Sequence, residues 1–416
     1  MINSKPENVG LSASRLHRIH DWTSSYIDTG RLAGTITLVA RRGQVVHFES
    51  NGKLSLETGQ AMPEDALFRI HSMTKPVTAV AVMMLYERGY FQLDTPVSQF
   101  IPAFKDTEVF ASGTVEDYTT VKPQREMTIG DLLRHGAGLT YGFLPFTIVD
   151  QLYLQAGILE SVNDDSTLET FVNKLATMPL LFSPGTQWSY SLSMDVLGRV
   201  IEVITGKSLD VFFQEEIFEP LNMVDTGFIL PTEKQDRLAS MYVNRIGLPE
   251  SLVQDFPDKT IFLNDDPKIN YYQKSPTKMM GGIGLVSTAR DYYQFATMLL
   301  NKGRVGKEYL LSPKTIEFMT MNHLPGDIES FCVKAFSDPK RAGMGFGLGF
   351  GVNIDAAKAN LIGSPGTFHW SGMAHTTFFV DPKEELIGIF LSQILPYAVY
   401  DTVREFRRMV YQAIVG

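Results

Sequence analysis

The sequence predicts an α+β fold: an antiparallel sheet formed from both chain ends and flanked by helices, with a mostly helical domain inserted between them. Two observations predict it. Period-two alternation of apolar residues, the mark of a strand, gathers near the ends of the chain, at residues 35–40, 45–49, 376–381 and 386–392. Between them, from residue 100 to residue 280, the pattern is mostly helical with long loops. The implied division is a sheet domain of residues 1–100 and 281–416 and an inserted domain of residues 101–280.

Each element has its own local reason. Residues 11–27 carry Leu16, Ile19, Trp22 and Tyr26 at helical spacing and stop at Gly30. Arg41-Arg42-Gly43 then turns the first two strands into a hairpin. The apolar run from Thr78 to Tyr86 is a helix, and Gly89 and Pro96 break the chain after it. Thr128-Ile129-Gly130-Asp131 forms a variant capping box, and residues 168–175, 194–205 and 209–217 continue the helices. Residues 231–278 are polar and aperiodic, as expected of a long surface excursion bordering a functional site. Gly281-Gly282-Ile283-Gly284 returns the chain to regular structure, and residues 287–300 form a helix with Ser287 as N-cap. Residues 343–351 alternate Gly with Met, Phe, Leu and Phe, which predicts a strand with one bare face. Residues 398–414 end the chain as a helix.

Composition narrows the function classes. The 416 residues are 44% hydrophobic and 20% charged, an ordinary globular balance. A net charge of −9 argues against nucleic acid as a partner and supplies no basic patch for a membrane surface. The longest apolar run, about ten residues, is too short to span a bilayer. Residues 1–8 lack the apolar core of a signal peptide, so the cytoplasm is the expected location. A single cysteine, Cys332, allows no internal disulfide. Neither Gly-x-Ser-x-Gly nor His-Glu-x-x-His occurs, and His17 and His20 lie on a peripheral helix, so no metal and no cofactor is expected. The sequence sets no oligomeric state.

Three segments carry chemistry. In Ser72-Met73-Thr74-Lys75, a serine before a helix and a lysine three residues on share one face. The helix N-terminus adds amide donors and partial positive charge, which is how Ser-x-x-Lys sites make a nucleophile without histidine. Ser183-Pro184-Gly185-Thr186-Gln187-Trp188-Ser189-Tyr190-Ser191-Leu192 makes a Pro-Gly turn and sets Tyr190 on a loop before the next helix. Gly366-Thr367-Phe368-His369-Trp370-Ser371-Gly372-Met373-Ala374-His375-Thr376 precedes a strand.

In this order and at these separations the segments resemble the serine β-lactamase/penicillin-binding-protein superfamily, closest to the class C β-lactamase-like family VIII carboxylesterases. The likeness runs from Leu32 to the C-terminus and takes in residues 82–96, 127–139 and 343–352. It implies a class C β-lactamase-like fold with Ser72 as acyl-accepting nucleophile, Lys75 easing its proton loss, and Tyr190 as general base or proton shuttle. Which of Lys75 and Tyr190 takes the first proton stays open. The resemblance also implies an oxyanion hole from the Ser72 and Met373 backbone N–H groups, each such donor worth about 3–4 kcal/mol. The implied pocket contains Trp370, Ser371, Gly372, Leu192, Tyr141 and Phe143, while His369 and His375 flank it as structural histidines.

Two departures adjust the substrate. Leu192 stands at the asparagine place of Tyr-x-Asn, and Trp370-Ser371-Gly372 replaces Lys-Thr-Gly. Both make the site less suited to an anionic β-lactam. The implied activity is hydrolysis of short-chain carboxylic esters through an acyl-serine, with a small-molecule ester as partner. Acyl transfer to an alcohol, β-lactam or D-amino-acid peptide cleavage, and a silent sensor on the same fold are the alternatives.

Overall fold

The sheet is built by joining the chain's two ends. Helix α1 (Arg18–Asp28) leads into the hairpin β1 (Gly34–Arg41) and β2 (Gln44–Gly52). Helix α2 (Thr74–Glu87) follows, then α3 (Ile129–Leu133), α4 (Leu168–Leu175), α5 (Ser193–Thr205) and α6 (Ala289–Leu300). The C-terminal part adds β3 (Met344–Phe346), β4 (Gly351–Asn353), β5 (Phe368–Gly372), β6 (Thr376–Asp381), β7 (Leu386–Leu391) and helix α7 (Thr402–Tyr411). The seven strands lie in the order β3-β4-β5-β6-β7-β1-β2. Every pair is antiparallel, and β7 meets β1 in the register Ile36↔Leu391 to Arg41↔Leu386. This computed structural model describes residues 1–143, 147–158, 166–254, 256–264 and 277–416.

Alternation along the central strands gives the sheet two apolar faces. Ile36, Leu38, Phe378, Val380, Ile387 and Ile389 point into the main core with α2 and α6. Val39, Phe379, Leu386 and Phe390 point the other way, onto Ile19, Trp22 and Tyr26 of α1 and Phe406 and Val410 of α7. Helix α2 is buried from Thr74 to Leu85, because the sheet lies on one side of it and the inserted helices on the other. A helix enclosed in this way carries a polar side chain such as Lys75 into a water-poor interior.

The capping box at Thr128 forms. Asp131 returns its carboxylate to the Thr128 N–H at 3.0 Å, and it also receives Arg125 at 2.9 Å and Arg134 at 2.7 Å. These bonds hold the buried carboxyl below the usual carboxylate range, against burial that pushes the other way.

Four local expectations change. The last helix starts at Thr402 rather than residue 398, since Ala398 takes φ 61° and the chain turns there first. The N-cap of α6 is Thr288, whose Oγ1 accepts the Asp291 N–H at 3.1 Å. Ser287 instead pairs with Phe68 in a short strand. Residues 343–351 are not one strand. Gly347–Phe350 turn the chain between β3 and β4, held by Gly347 N–H to Phe350 C=O at 2.8 Å, so alternating glycine serves a hairpin. The excursion at residues 231–278 is partly regular: Tyr242–Asn244 pairs with Ile261–Leu263 and, in parallel, with Ile394–Leu395. Residues 265–276 of that excursion lie outside the described residues.

Asp131→Ala removes the N-cap partner and leaves two arginines facing a vacated buried site. Because both arginines reach solvent, the expected loss is about 2–3 kcal/mol of unfolding free energy, read from urea or guanidinium denaturation midpoints at pH 7.

Candidate active site

Ser72 lies in a 3₁₀ turn, His71–Met73, that runs directly into α2. It therefore precedes the helix instead of opening it. The turn is tight: His71 adopts φ 43°, a left-handed conformation that costs a non-glycine residue on the order of 1 kcal/mol or more. Its surroundings fix it. The Tyr292 hydroxyl donates to the Met73 carbonyl at 2.9 Å, and the Leu285 N–H donates to Thr74 Oγ1 at 3.2 Å. Ser72 keeps 9% exposure at the site, whereas Lys75 keeps 1%.

Lys75 is the hub. Its Nζ lies 3.2 Å from Ser72 Oγ, 2.7 Å from the Tyr141 hydroxyl and 2.7 Å from the Gly282 carbonyl oxygen. The carbonyl can only accept, while the two hydroxyls can donate or accept, so the cluster accommodates Lys75 as ammonium or as amine. The Tyr190 ring lies under the same nitrogen, 4.8 Å from Nζ to its centroid, and the Tyr141 ring lies at 5.2 Å. Burial first, then the neighbouring Tyr190 and Asp195, hold the Tyr141 phenol well above its ordinary pKa.

Tyr190 is fixed by aromatic contact. His135 packs at 4.9 Å between ring centroids, Tyr141 at 5.2 Å and Trp370 at 5.4 Å. The Trp370 indole N–H donates to the Tyr190 hydroxyl at 3.3 Å. The loop is held by Ser189 N–H to His135 C=O at 3.0 Å and by contact of His135 Nδ1 with Ser191 Oγ at 3.1 Å. Burial, then the Lys75 charge, keep His135 neutral with a pKa well below the ordinary imidazole value. For the same first reason His71 titrates at about 3, lowered further by Arg69 and Lys75.

The third segment forms β5 and its turn. Gly372 is required by close approach: a Cβ there would run into the Ile70 carbonyl oxygen. Thr376 Oγ1 donates to that same oxygen at 3.3 Å, so β5 and β6 are docked against the turn that carries Ser72. The glycine thus brings the strand to the backbone just before Ser72, where the sequence reading placed it in the substrate pocket. Ser371 Oγ bonds Thr377 Oγ1 at 2.9 Å, and Met373 is 42% exposed just beyond β5.

Ser72, Lys75, Tyr190, Tyr141 and Trp370 therefore converge. Phe143 contacts Tyr141 at 4.8 Å between ring centroids but is half exposed at the rim. Leu192 does not face the cleft; it is 1% exposed within the main core, and its N–H donates to the Thr140 carbonyl at 3.3 Å. His375 is structural, bonded to Thr402 Oγ1 at 2.9 Å and the Pro396 carbonyl at 3.3 Å. Two residues were missed by sequence reasoning. The Gly282 carbonyl binds Lys75, and Asp195 accepts the Gly282 N–H at 2.8 Å. The glycine run 281–284 reads only as a turn, and Asp195 only as a polar residue early in a helix.

The beta-lactamase family model matches residues 19–412. The chain belongs to the beta-lactamase family. Protein Rv1367c of Mycobacterium tuberculosis is 32% identical over 89% of this chain and 88% of its own length. Esterase EstB of Burkholderia gladioli is 30% identical over 89% of this chain and 87% of its own. Among solved structures, EstCE1, "a hydrolase with promiscuous acyltransferase activity", superposes with a TM-score of 0.78 at 28% identity, covering 96% of this chain and 99% of that one. Family and relatives together make the protein a serine hydrolase of esterase or acyltransferase type. Among the described residues, no helix is long and apolar enough to cross a membrane.

Gly372→Ala forces β5 away from the Ser72 turn. The expected cost is about 1–3 kcal/mol of overpacking strain, measured by chemical denaturation.

Proposed function

We propose that the protein is a family VIII-type carboxylesterase that cleaves neutral, short-chain carboxylic esters through an acyl-Ser72 intermediate. The observation that carries this reading is the Lys75 cluster: a buried nitrogen bonded to Ser72 Oγ and to the Tyr141 hydroxyl, walled by Tyr190 and Trp370. Trp370 stands where a lysine would hold a substrate carboxylate, so the wall favours a neutral ligand.

In the proposed reaction Ser72 Oγ attacks the acyl carbon, and its proton leaves to Lys75 or to Tyr190. The Ser72 and Met373 N–H groups receive the developing oxyanion. The proton then passes to the leaving alkoxide, releasing the alcohol. Water attacks the acyl-enzyme by the reverse proton path, giving the carboxylic acid and free Ser72. Tyr141 joins Lys75 and Tyr190 as a third member, since its hydroxyl lies on the lysine nitrogen. Acyl transfer, with an alcohol in place of water, is a second reading supported by the likeness to EstCE1.

The test is hydrolysis of p-nitrophenyl acetate, butyrate and octanoate beside a chromogenic cephalosporin, with product partition measured in added alcohol. Ester cleavage should exceed cephalosporin turnover, and Ser72→Ala should abolish it with the fold intact. Tyr190→Phe should lower kcat at least ~100-fold, the low end for a lost general acid–base group. Tyr141→Phe should lower kcat/KM by about 10–100-fold, matching loss of a charge-assisted hydrogen bond of about 1.5–3 kcal/mol. Turnover in Ser72→Ala near the wild-type rate would remove the assignment.

Trp370→Lys restores a cation at the wall of the cleft. The expected outcome is a higher ratio of cephalosporin to ester turnover, read from kcat/KM on both substrates; an unchanged ratio would refute the polarity argument.

A further inference from the structure

Gly281 and Gly282 thread between α2 and α5. A Cβ on Gly281 would lie 2.6 Å from the Met194 carbonyl oxygen and 3.2 Å from Thr78 Oγ1. A Cβ on Gly282 would lie 2.7 Å from Asp195 Oδ2 and 3.0 Å from Oδ1. The two helices therefore close on a strip of bare backbone. Thr78 Oγ1 donates to the Gly281 carbonyl at 2.6 Å on the α2 side. Asp195 Oδ1 accepts the Gly282 N–H at 2.8 Å on the α5 side. Gly282 then offers its carbonyl to Lys75 Nζ at 2.7 Å. One glycine thus has a carboxylate on its N–H and a lysine nitrogen on its C=O.

Asp195 is fully buried, and its Oδ2 has no hydrogen-bond partner among the described residues. A buried carboxylate with a single amide donor is unstable unless a cation compensates it. Burial raises its pKa to about 6, and the opposing influences are first the Lys75 charge and then the Gly282 amide.

We propose that Asp195 is a positioning residue and the buried counter-ion of Lys75: it acts through Gly282 to fix the lysine nitrogen beside Ser72 and to bias that nitrogen toward its protonated form. This rests on the reading of Ser72 and Lys75 as catalytic. The groups facing this pair are Lys75 and His71 at the start of α2, His135 and Tyr141 after α3, and Tyr190 before α5. Other charges on adjoining elements pair elsewhere or lie away from this pair. Asp131 of α3 pairs with Arg125 and Arg134. Arg199 of α5 pairs with Glu202 and with Glu169 of α4. Lys174 of α4 is exposed, and Asp210 lies beside Glu202.

The experiment is the pH dependence of kcat/KM for p-nitrophenyl butyrate in wild type, Asp195→Asn and Thr78→Val. Asn keeps the size of the side chain and its acceptor oxygen but carries no charge. Its loss favours the neutral amine, so the limb that reports Lys75 ionisation moves to lower pH. That is the acid limb if the amine is the working form and the alkaline limb if the ammonium is. The expected displacement is about one pH unit, or about tenfold in rate on that limb. Thr78→Val loosens the same glycine strip without changing charge, and should lower the rate with both limbs in place.

A second measurement needs no Asp195 variant. In [4-13C]aspartate-labelled protein the Asp195 carboxyl, identified by its deep burial and pH response, should titrate at higher pH in Lys75→Met than in wild type, by reciprocity of the coupling. Limbs that coincide within ~0.3 unit in Asp195→Asn, or a carboxyl unmoved by Lys75→Met, overturn the inference. Ester cleavage that survives Ser72→Ala would overturn instead the catalytic reading beneath it.

Discussion

A lysine nitrogen buried among aromatic rings is the constraint on which this molecule turns. Lys75 is almost wholly removed from water, so each of its bonds must come from protein. The acceptors that meet it come from three separate parts of the chain: the turn before α2, the segment after α3, and the glycine strip before α6. None is near another in sequence, so satisfying one nitrogen requires three distant segments of the chain to close together.

The remaining architecture follows from that closure. Helix α2 is buried from Thr74 to Leu85 because it is the element both parts share. Residues lacking side chains mark the closest approaches: Gly372 against the Ile70 carbonyl, Gly281 against Met194, Gly282 against Asp195. The rings of Trp188, Tyr190, Phe346 and Trp370 pack against one another beside Lys75. In such surroundings a charge some ångströms away still matters, because little solvent screens it.

The main elements were legible because they obey local rules. The β1–β2 hairpin and the strands β6 and β7 follow alternation, and α4 coincides with its apolar period to the residue. The capping box of α3 was readable from Thr128 and Asp131 alone. Where local signals compete, the reading slipped. Ser287 and Thr288 both suit an N-cap, and strand pairing with Phe68 takes the first. Glycine alternation in residues 343–351 suits a strand or a hairpin, and only the pairing of β3 with β4 decides between them. The short strand at Tyr242–Asn244 carries too few residues to show a period.

For the site, the sequence by itself set Ser72 and Lys75 three residues apart at the entry to a helix and marked Tyr190 by the Pro-Gly turn and Trp188 before it. Tertiary structure alone decided the wiring. Tyr141 and Phe143 look alike in sequence, yet one touches Lys75 and the other sits at the rim. Leu192 occupies a motif position but turns into the core. Asp195 and Gly282 carry no motif signal, because their role arises only where α2 and α5 converge on a shared strip of backbone. Chemistry that depends on spacing within one helical turn is written locally. Which carbonyl, carboxylate or phenol reaches a buried nitrogen is set by packing between distant segments, and no local pattern encodes it.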